Sequence, residues 1–103
     1  MQYRNLGRSG LQVSEISLGS WLTLGSSVDA GATRALVQRA FDAGINLFDT
    51  ADVYAGGAAE EALAPAIADL PRRHLVIATK AFFPASERPN DRGLSRKHLF
   101  ESV

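Results

Sequence analysis

The sequence predicts an α/β fold built on parallel strands. Three short apolar segments begin at Ile16, Ile45 and Leu75, 29 and 30 residues apart, and a strand-helix-strand unit takes about 30 residues. Helix-period stretches fill both intervals. The last segment, Leu75-Val76-Ile77-Ala78-Thr79, is apolar almost without a break, as a strand covered on both faces is.

Residues 2 to 6 and 11 to 14 read as short strands around Gly7-Arg8-Ser9-Gly10, a glycine-rich link suited to a hairpin. Glu15-Ile16-Ser17-Leu18-Gly19 is the next strand. Asp29 is placed to cap a helix reaching Ala43. Leu36, Val37, Ala40 and Phe41 fall on one face of it, and Gly44 supplies a C-terminal stop. Ile45 to Phe48 follows as a strand. Ala59 to Leu70 is a second helix with Leu63, Ile67 and Leu70 as its apolar face. Glu60 and Glu61 sit in its first turn, where the helix dipole favours acids. Pro65 fits awkwardly there, since an interior proline removes a backbone bond. Residues 83 to 94 form a loop with Pro84, Pro89 and Asp91-Arg92-Gly93, and Ser95 is an N-cap candidate for a third helix. Leu99 and Val103 would form the apolar face of that helix. Three parallel strands leave two unpaired edges, which proteins normally cover, so the expectation is the front part of a larger fold, or one that a partner completes.

The bulk numbers narrow the classes. With 103 residues, a single domain at most is expected. Apolar residues make up 46%, and 11 basic side chains balance 11 acidic ones, an ordinary globular composition. No basic stripe points to nucleic acid. No long apolar stretch points to a membrane span or a signal peptide, so the expected location is cytoplasmic. There is no cysteine, which removes disulfides and thiolate-bound metals. The carboxylates lack histidine companions at ligand spacing, so no metal site is expected. Gly56-Gly57 lies outside any G-x-G-x-x-G or P-loop pattern.

The chemistry gathers at strand ends. Asp49 closes one apolar segment and Tyr54 follows five residues later, while Lys80 closes another. A phenol is a poor acid at neutral pH, with an unperturbed pKa of about 10. A nearby ammonium favours the phenolate and makes the phenol a readier donor, and a carboxylate keeps the ammonium charged and oriented. Carbonyl reduction needs such a proton donor while hydride reaches carbon. Each residue also has a plain reading. Asp49 could cap a turn, Tyr54 could be a loop aromatic, and Trp21 could pack. Lys80 could be solvated, although its apolar lead-in suggests a partly buried amine that needs a carboxylate partner. Glu60, Glu61, Arg96 and Lys97 read as solvated.

Phe48-Asp49-Thr50-Ala51-Asp52-Val53-Tyr54 together with Ala78-Thr79-Lys80 resembles the aldo-keto reductases. Leu18-Gly19-Ser20-Trp21-Leu22-Thr23 and Arg92-Gly93-Leu94-Ser95-Arg96-Lys97-His98 are most similar to the branch containing the potassium-channel β-subunits and their bacterial relatives. The resemblance covers almost the whole chain. It implies a (β/α)8 TIM barrel with an N-terminal hairpin plugging the end away from the site. Residues 1–103 would supply the hairpin, strands one to three, helices one and two, and the start of helix three. Barrel sites lie at the C-terminal strand ends, where Asp49, Tyr54 and Lys80 fall.

The resemblance further implies reduction of aldehydes or ketones with NADPH. Tyr54 would be the proton donor, Lys80 would lower its pKa, and Asp49 would pair with Lys80. The family's fourth catalytic residue, a histidine that is an asparagine in the channel β-subunits, has no counterpart among these residues. His74 precedes a strand, at the wrong end for the role, and His98 belongs to the third helix. Ser20, Trp21, Asp49 and Tyr54 match positions that contact the nicotinamide half of the cofactor. The branch often carries a glutamine shortly after the tryptophan, and Ser27 stands there instead. The segment reading the adenosine 2′-phosphate is not represented, so NADPH over NADH rests on the resemblance. The partner expected is a small carbonyl compound. The oligomeric state stays open, a homo-oligomer included. Two other classes stand beside the reductase: an NADPH-sensing regulatory subunit with slow turnover, and a truncated piece without activity of its own.

Overall fold

The computed structural model describes all residues from Met1 to Val103. Strands β1 (Tyr3–Asn5) and β2 (Gln12–Ser14) form an antiparallel hairpin with Tyr3 opposite Ser14. Its link turns through Gly7 and Gly10, both at positive φ, a conformation that glycine adopts without steric cost. Strands β3 (Leu18–Gly19), β4 (Leu47–Asp49) and β5 (Val76–Ala78) form a parallel sheet in the order β3-β4-β5. Gly19 is opposite Asp49, and Asp49 opposite Ala78.

Helix α1 (Ala30–Asp42) links β3 to β4, and α2 (Ala58–Ile67) links β4 to β5. Asp29 caps α1 by accepting from the Ala32 N–H at 2.8 Å, and Gly44, at φ 90°, ends it. The helices lie side by side. Thr33, Val37 and Ala40 are buried on α1, and Ala59, Leu63 and Ala66 on α2. Both sets follow i, i+4, i+7 spacing, which is one face of a helix. Phe48 is fully enclosed at the centre of the sheet, beneath Val37, Leu63 and Leu75. Burying such a ring contributes about 1.5–3 kcal/mol.

The structure departs from the expected elements in several places. The third strand shrinks to Leu18–Gly19, because the Ser14 hydroxyl donates to the Ile16 carbonyl at 2.7 Å and bends the chain there. Ile16 is therefore exposed. Leu36 is exposed as well, since the buried face of α1 runs through Thr33, Val37 and Ala40. Helix α2 runs through Pro65 and ends at Ile67, short of Leu70. Glu61 and Pro65 are both exposed there, so solvent can serve the carbonyl that proline leaves unbonded. Strand β5 is partly exposed instead of covered on both faces, because it is the sheet edge and pairs only with β4. A third helix, α3 (Arg96–Ser102), is capped by Ser95, which accepts from the His98 N–H at 3.1 Å. Its buried residue is His98, whereas Leu99 and Val103 are exposed.

The hairpin docks at the N-terminal side of β4. Asn46 accepts from the Ser14 N–H at 2.8 Å and donates to the Gln12 carbonyl at 3.0 Å, while the Tyr3 hydroxyl donates to the Gly44 carbonyl at 2.8 Å. The 3-10 turn Arg72–His74 stands on the same side, before β5. The C-terminal ends of the strands are left uncovered by the hairpin. No helix is long and apolar enough to cross a membrane.

Candidate active site

Backbone bonds extend the parallel arrangement beyond the strands. The Ser20 N–H donates to the Asp49 carbonyl at 2.9 Å, Thr50 to Ala78 at 2.8 Å, and Asp52 to Lys80 at 3.2 Å. The segments after β3, β4 and β5 are thereby held side by side. Asp49 ends β4, and Lys80 lies two residues beyond β5.

Three of the expected residues converge. Lys80 Nζ is 2.8 Å from both carboxylate oxygens of Asp49, 2.9 Å from the Thr50 carbonyl oxygen and 3.1 Å from the Tyr54 hydroxyl. An ammonium has three hydrogens and no acceptor. One serves the carboxylate, one the carbonyl and one the phenol oxygen. Tyr54 therefore accepts from Lys80 and keeps its own hydrogen for another acceptor. The Lys80 side chain is 49% exposed, more open than its apolar lead-in suggested, because β5 is an edge strand. Partial desolvation opposes its charge. The hydrogen bonds to Asp49 and Tyr54, with their Coulombic attraction, outweigh it, and its pKa is raised above 10.5. The ammonium also sits 4.9 Å from the centre of the Tyr54 ring, within cation–π range.

The backbone around Tyr54 is unusual. It opens a 3-10 turn in which Ala55 has φ 51° and ψ 34°, followed by Gly56 and Gly57 at positive φ. A left-handed alanine costs roughly 1–2 kcal/mol, and such strain tends to collect at functional sites. The Tyr54 and Trp21 rings stack with centroids 6.1 Å apart and planes at 27°. Together with Leu22, Ser26, Val53, Ala55 and Phe83 they line a largely apolar cavity of about 540 Å3. That is within the usual range for small-molecule sites, roughly 300–1,000 Å3.

The remaining expected residues are placed differently from one another. Trp21 is 65% exposed and forms a cavity wall. Ser20 is 1% exposed, and its hydroxyl has no hydrogen-bond partner. Ser27 is exposed and stands outside the cavity lining. His74 lies at the opposite end of the sheet, beside Tyr3 and Asn46. Glu60, given no chemistry from sequence, accepts from the Thr79 hydroxyl at 2.5 Å.

Sequence reasoning missed Asp52 and the environment of His98. The Asp52 side chain is nearly buried, and its Oδ2 is 4.0 Å from Nε2 of the buried His98. The position of Asp52 between Asp49 and Tyr54 was the only available signal. Nothing local in the sequence brings His98 to it, because the contact spans the fold. The assembled site can deliver a proton from Tyr54 to an acceptor at the cavity mouth while a fixed cation steadies the oxygen left behind.

Residues 15–103 match the Aldo/keto reductase family. A protein of Oryza sativa subsp. japonica named "Probable voltage-gated potassium channel subunit beta" is 50% identical over 105 aligned residues, which cover all of this chain and 32% of that protein. One of Arabidopsis thaliana with the same name is 48% identical, again over the full chain and 32% of the relative. The chain thus spans about a third of the length of these relatives. A solved structure titled "Putative aldo-keto reductase from Pseudomona aeruginosa" superimposes with a TM-score of 0.68 at 39% identity, covering 78% of this chain and 31% of the other.

Proposed function

The chain belongs to the aldo/keto reductase family, and from that premise we propose that the protein carrying it is a cytoplasmic, NADPH-dependent oxidoreductase that reduces aldehydes or ketones to alcohols. The observation that supports this most strongly is the single ammonium bonded at once to both Asp49 oxygens and to the Tyr54 hydroxyl, at the rim of an apolar cavity.

The residues present fit a nicotinamide cofactor. Trp21 offers an exposed indole face, Asp49 a partly exposed carboxylate, and Ser20 a buried hydroxyl with no partner. Ser20, Trp21, Asp49 and Tyr54 would meet the nicotinamide half. When bound, the cofactor supplies the hydride.

This chain's own residues do the rest. Tyr54 gives its hydroxyl hydrogen to the carbonyl oxygen of the substrate. Lys80 stabilises the negative charge left on the phenol oxygen, since an opposite charge within hydrogen-bond reach favours the ionised form. Asp49 and the Thr50 carbonyl hold the ammonium in place. Leu22, Val53 and Phe83 would offer the substrate an apolar wall. The two open sheet edges are consistent with closure into a (β/α)8 barrel, of which residues 1–103 would be the first part of a single domain.

The names of the rice and Arabidopsis relatives favour a second reading. In it the protein is a channel-associated subunit that holds NADPH and turns it over slowly. Steady-state NADPH oxidation with a panel of simple aldehydes, set beside NADPH affinity, separates the two. Aldehyde-dependent turnover is expected. Tight NADPH binding with negligible turnover would overturn the reductase reading in favour of the sensor.

A further inference from the structure

We propose that His98 is a positioning residue for this reaction, holding through Asp52 the loop that presents Tyr54 beside Lys80. The inference rests on the reductase reading for its kinetic readout and on geometry alone for its structural one.

Asp52 joins the two halves of the site. Its N–H donates to the Lys80 carbonyl at 3.2 Å, so it fastens the backbone of the lysine to the loop that runs from Asp49 to Tyr54. The side chain of Asp52 points away from the cavity that Tyr54 lines and toward α3. There it is 12% exposed, and its Oδ2 has no hydrogen-bond donor. Facing it is the His98 ring, 4% exposed, with Nε2 also lacking a partner. A buried acceptor without a donor is destabilising, as is a buried donor without an acceptor. Here the two unmet groups face each other across 4.0 Å.

That gap is about 1 Å longer than a hydrogen bond. A small inward movement of α3 closes it and satisfies both atoms at once. The surroundings favour the contact. Glu60, Asp91 and Glu101 line the same cavity of about 300 Å3, and the one lysine there, Lys97, is bound to Glu101 at 3.0 Å. Asp91 is taken up by the Ser86 hydroxyl and Glu60 by the Thr79 hydroxyl. Neither competes for His98. Helix α3 starts firmly, because Ser95 caps it on the His98 N–H. The histidine is thus anchored by its backbone and free to engage by its side chain. Asp52, in turn, carries the restraint to the Lys80 carbonyl and, two residues later, to Tyr54.

The test uses the protein carrying this chain, with His98→Leu, His98→Gln, Asp52→Ala and the double variant His98→Leu with Asp52→Ala. Glutamine places an amide N–H near the position of Nε2, and leucine places none. His98→Leu should lower kcat roughly ten-fold, a fraction of the ~10²-fold loss that about 1 Å of misplacement can bring. NADPH affinity should stay within about twofold. His98→Gln should recover most of the loss, and the double variant should be no slower than the slower single one, because coupled partners are not additive. Exchange of the Asp52 amide hydrogen should quicken in His98→Leu and return toward the parent rate in His98→Gln. Equal kcat in His98→Leu and the parent overturns the proposal, as does a glutamine variant as slow as the leucine one, or losses that multiply in the double variant. If His98→Leu fails to fold, the glutamine and Asp52→Ala arms decide. A parent without aldehyde-dependent turnover sinks the reductase reading, and amide exchange at Asp52 then still decides the contact: unchanged exchange overturns it.

Discussion

Lys80 spends its three hydrogens on Asp49, the Thr50 carbonyl and the Tyr54 oxygen. The direction of the last bond matters, because a tyrosine that accepts from lysine still has a proton to give. Removing the ammonium should therefore act on the chemistry more than on the fold. Lys80→Met is expected to cut turnover by about 10²-fold or more, the scale of general acid catalysis. The melting temperature should move little, since a half-exposed ion pair contributes about 0–1 kcal/mol. The raised pKa of Lys80 fixes the sign of the pH effect. A group whose pKa is higher in the fold stabilises it at lower pH and loses that contribution as pH rises through the folded value. The small difference in melting between parent and Lys80→Met should stay constant from neutral pH and shrink only above 10.5. The convergence of Asp49, Tyr54 and Lys80 was legible because Asp49 and Lys80 close apolar runs and Tyr54 lies five residues after Asp49, and strand ends are where a parallel sheet exposes side chains. Asp52 and His98 were not legible. Their facing positions depend on how α3 returns to the sheet, which no local pattern encodes.

At the scale of elements, α1 and α2 were legible from caps and periodicity, and their buried faces less so. The pattern includes Val37, Ala40 and Leu63, which are buried, and Leu36, which is exposed, and it passes over Thr33, Ala59 and Ala66, which are buried. Small residues let the two helices lie close, and a hydrophobicity pattern undervalues them. The loop after β3 has a stricter requirement. Gly25 adopts φ 74°, and a Cβ there would collide with the backbone of Ala58 at the start of α2. The loop that carries Trp21 is thereby pressed against the helix that follows Tyr54. Gly25→Ala combines the collision with a strained conformation, and should destabilise the protein by at least about 1–3 kcal/mol. Denaturant melts measure this. A variant as stable as the parent would show that the loop does not rest on α2. Pro65 teaches the opposite lesson. An exposed helix turn tolerates a proline that sequence rules count against it.

For the molecule as a whole, the sheet has two open edges, and large apolar side chains are exposed along much of the chain. Phe82, Phe83, Leu94, Phe100 and Val103 are all exposed. Open sheet edges and exposed apolar side chains of this size are features that proteins ordinarily cover. The regular strand spacing made the parallel α/β arrangement legible, whereas the partial exposure of β5 was not. A continuous apolar run says that a strand can be covered on both faces and leaves open what covers it. The 103-residue chain alone is expected to bind hydrophobic dyes or self-associate, to show no reductase activity, and to hold NADPH weakly. Sedimentation and NADPH titration check this. A well-behaved monomer with measurable turnover would contradict it.

The proton-donor role of Tyr54 is tested most directly by Tyr54→Phe in the protein carrying this chain, with turnover and NADPH affinity measured side by side. The ring and its stacking on Trp21 are kept, and only the hydroxyl is lost. Nearly unchanged NADPH affinity is expected, with turnover reduced by about 10²- to 10⁴-fold. Turnover equal to that of the parent would contradict that role.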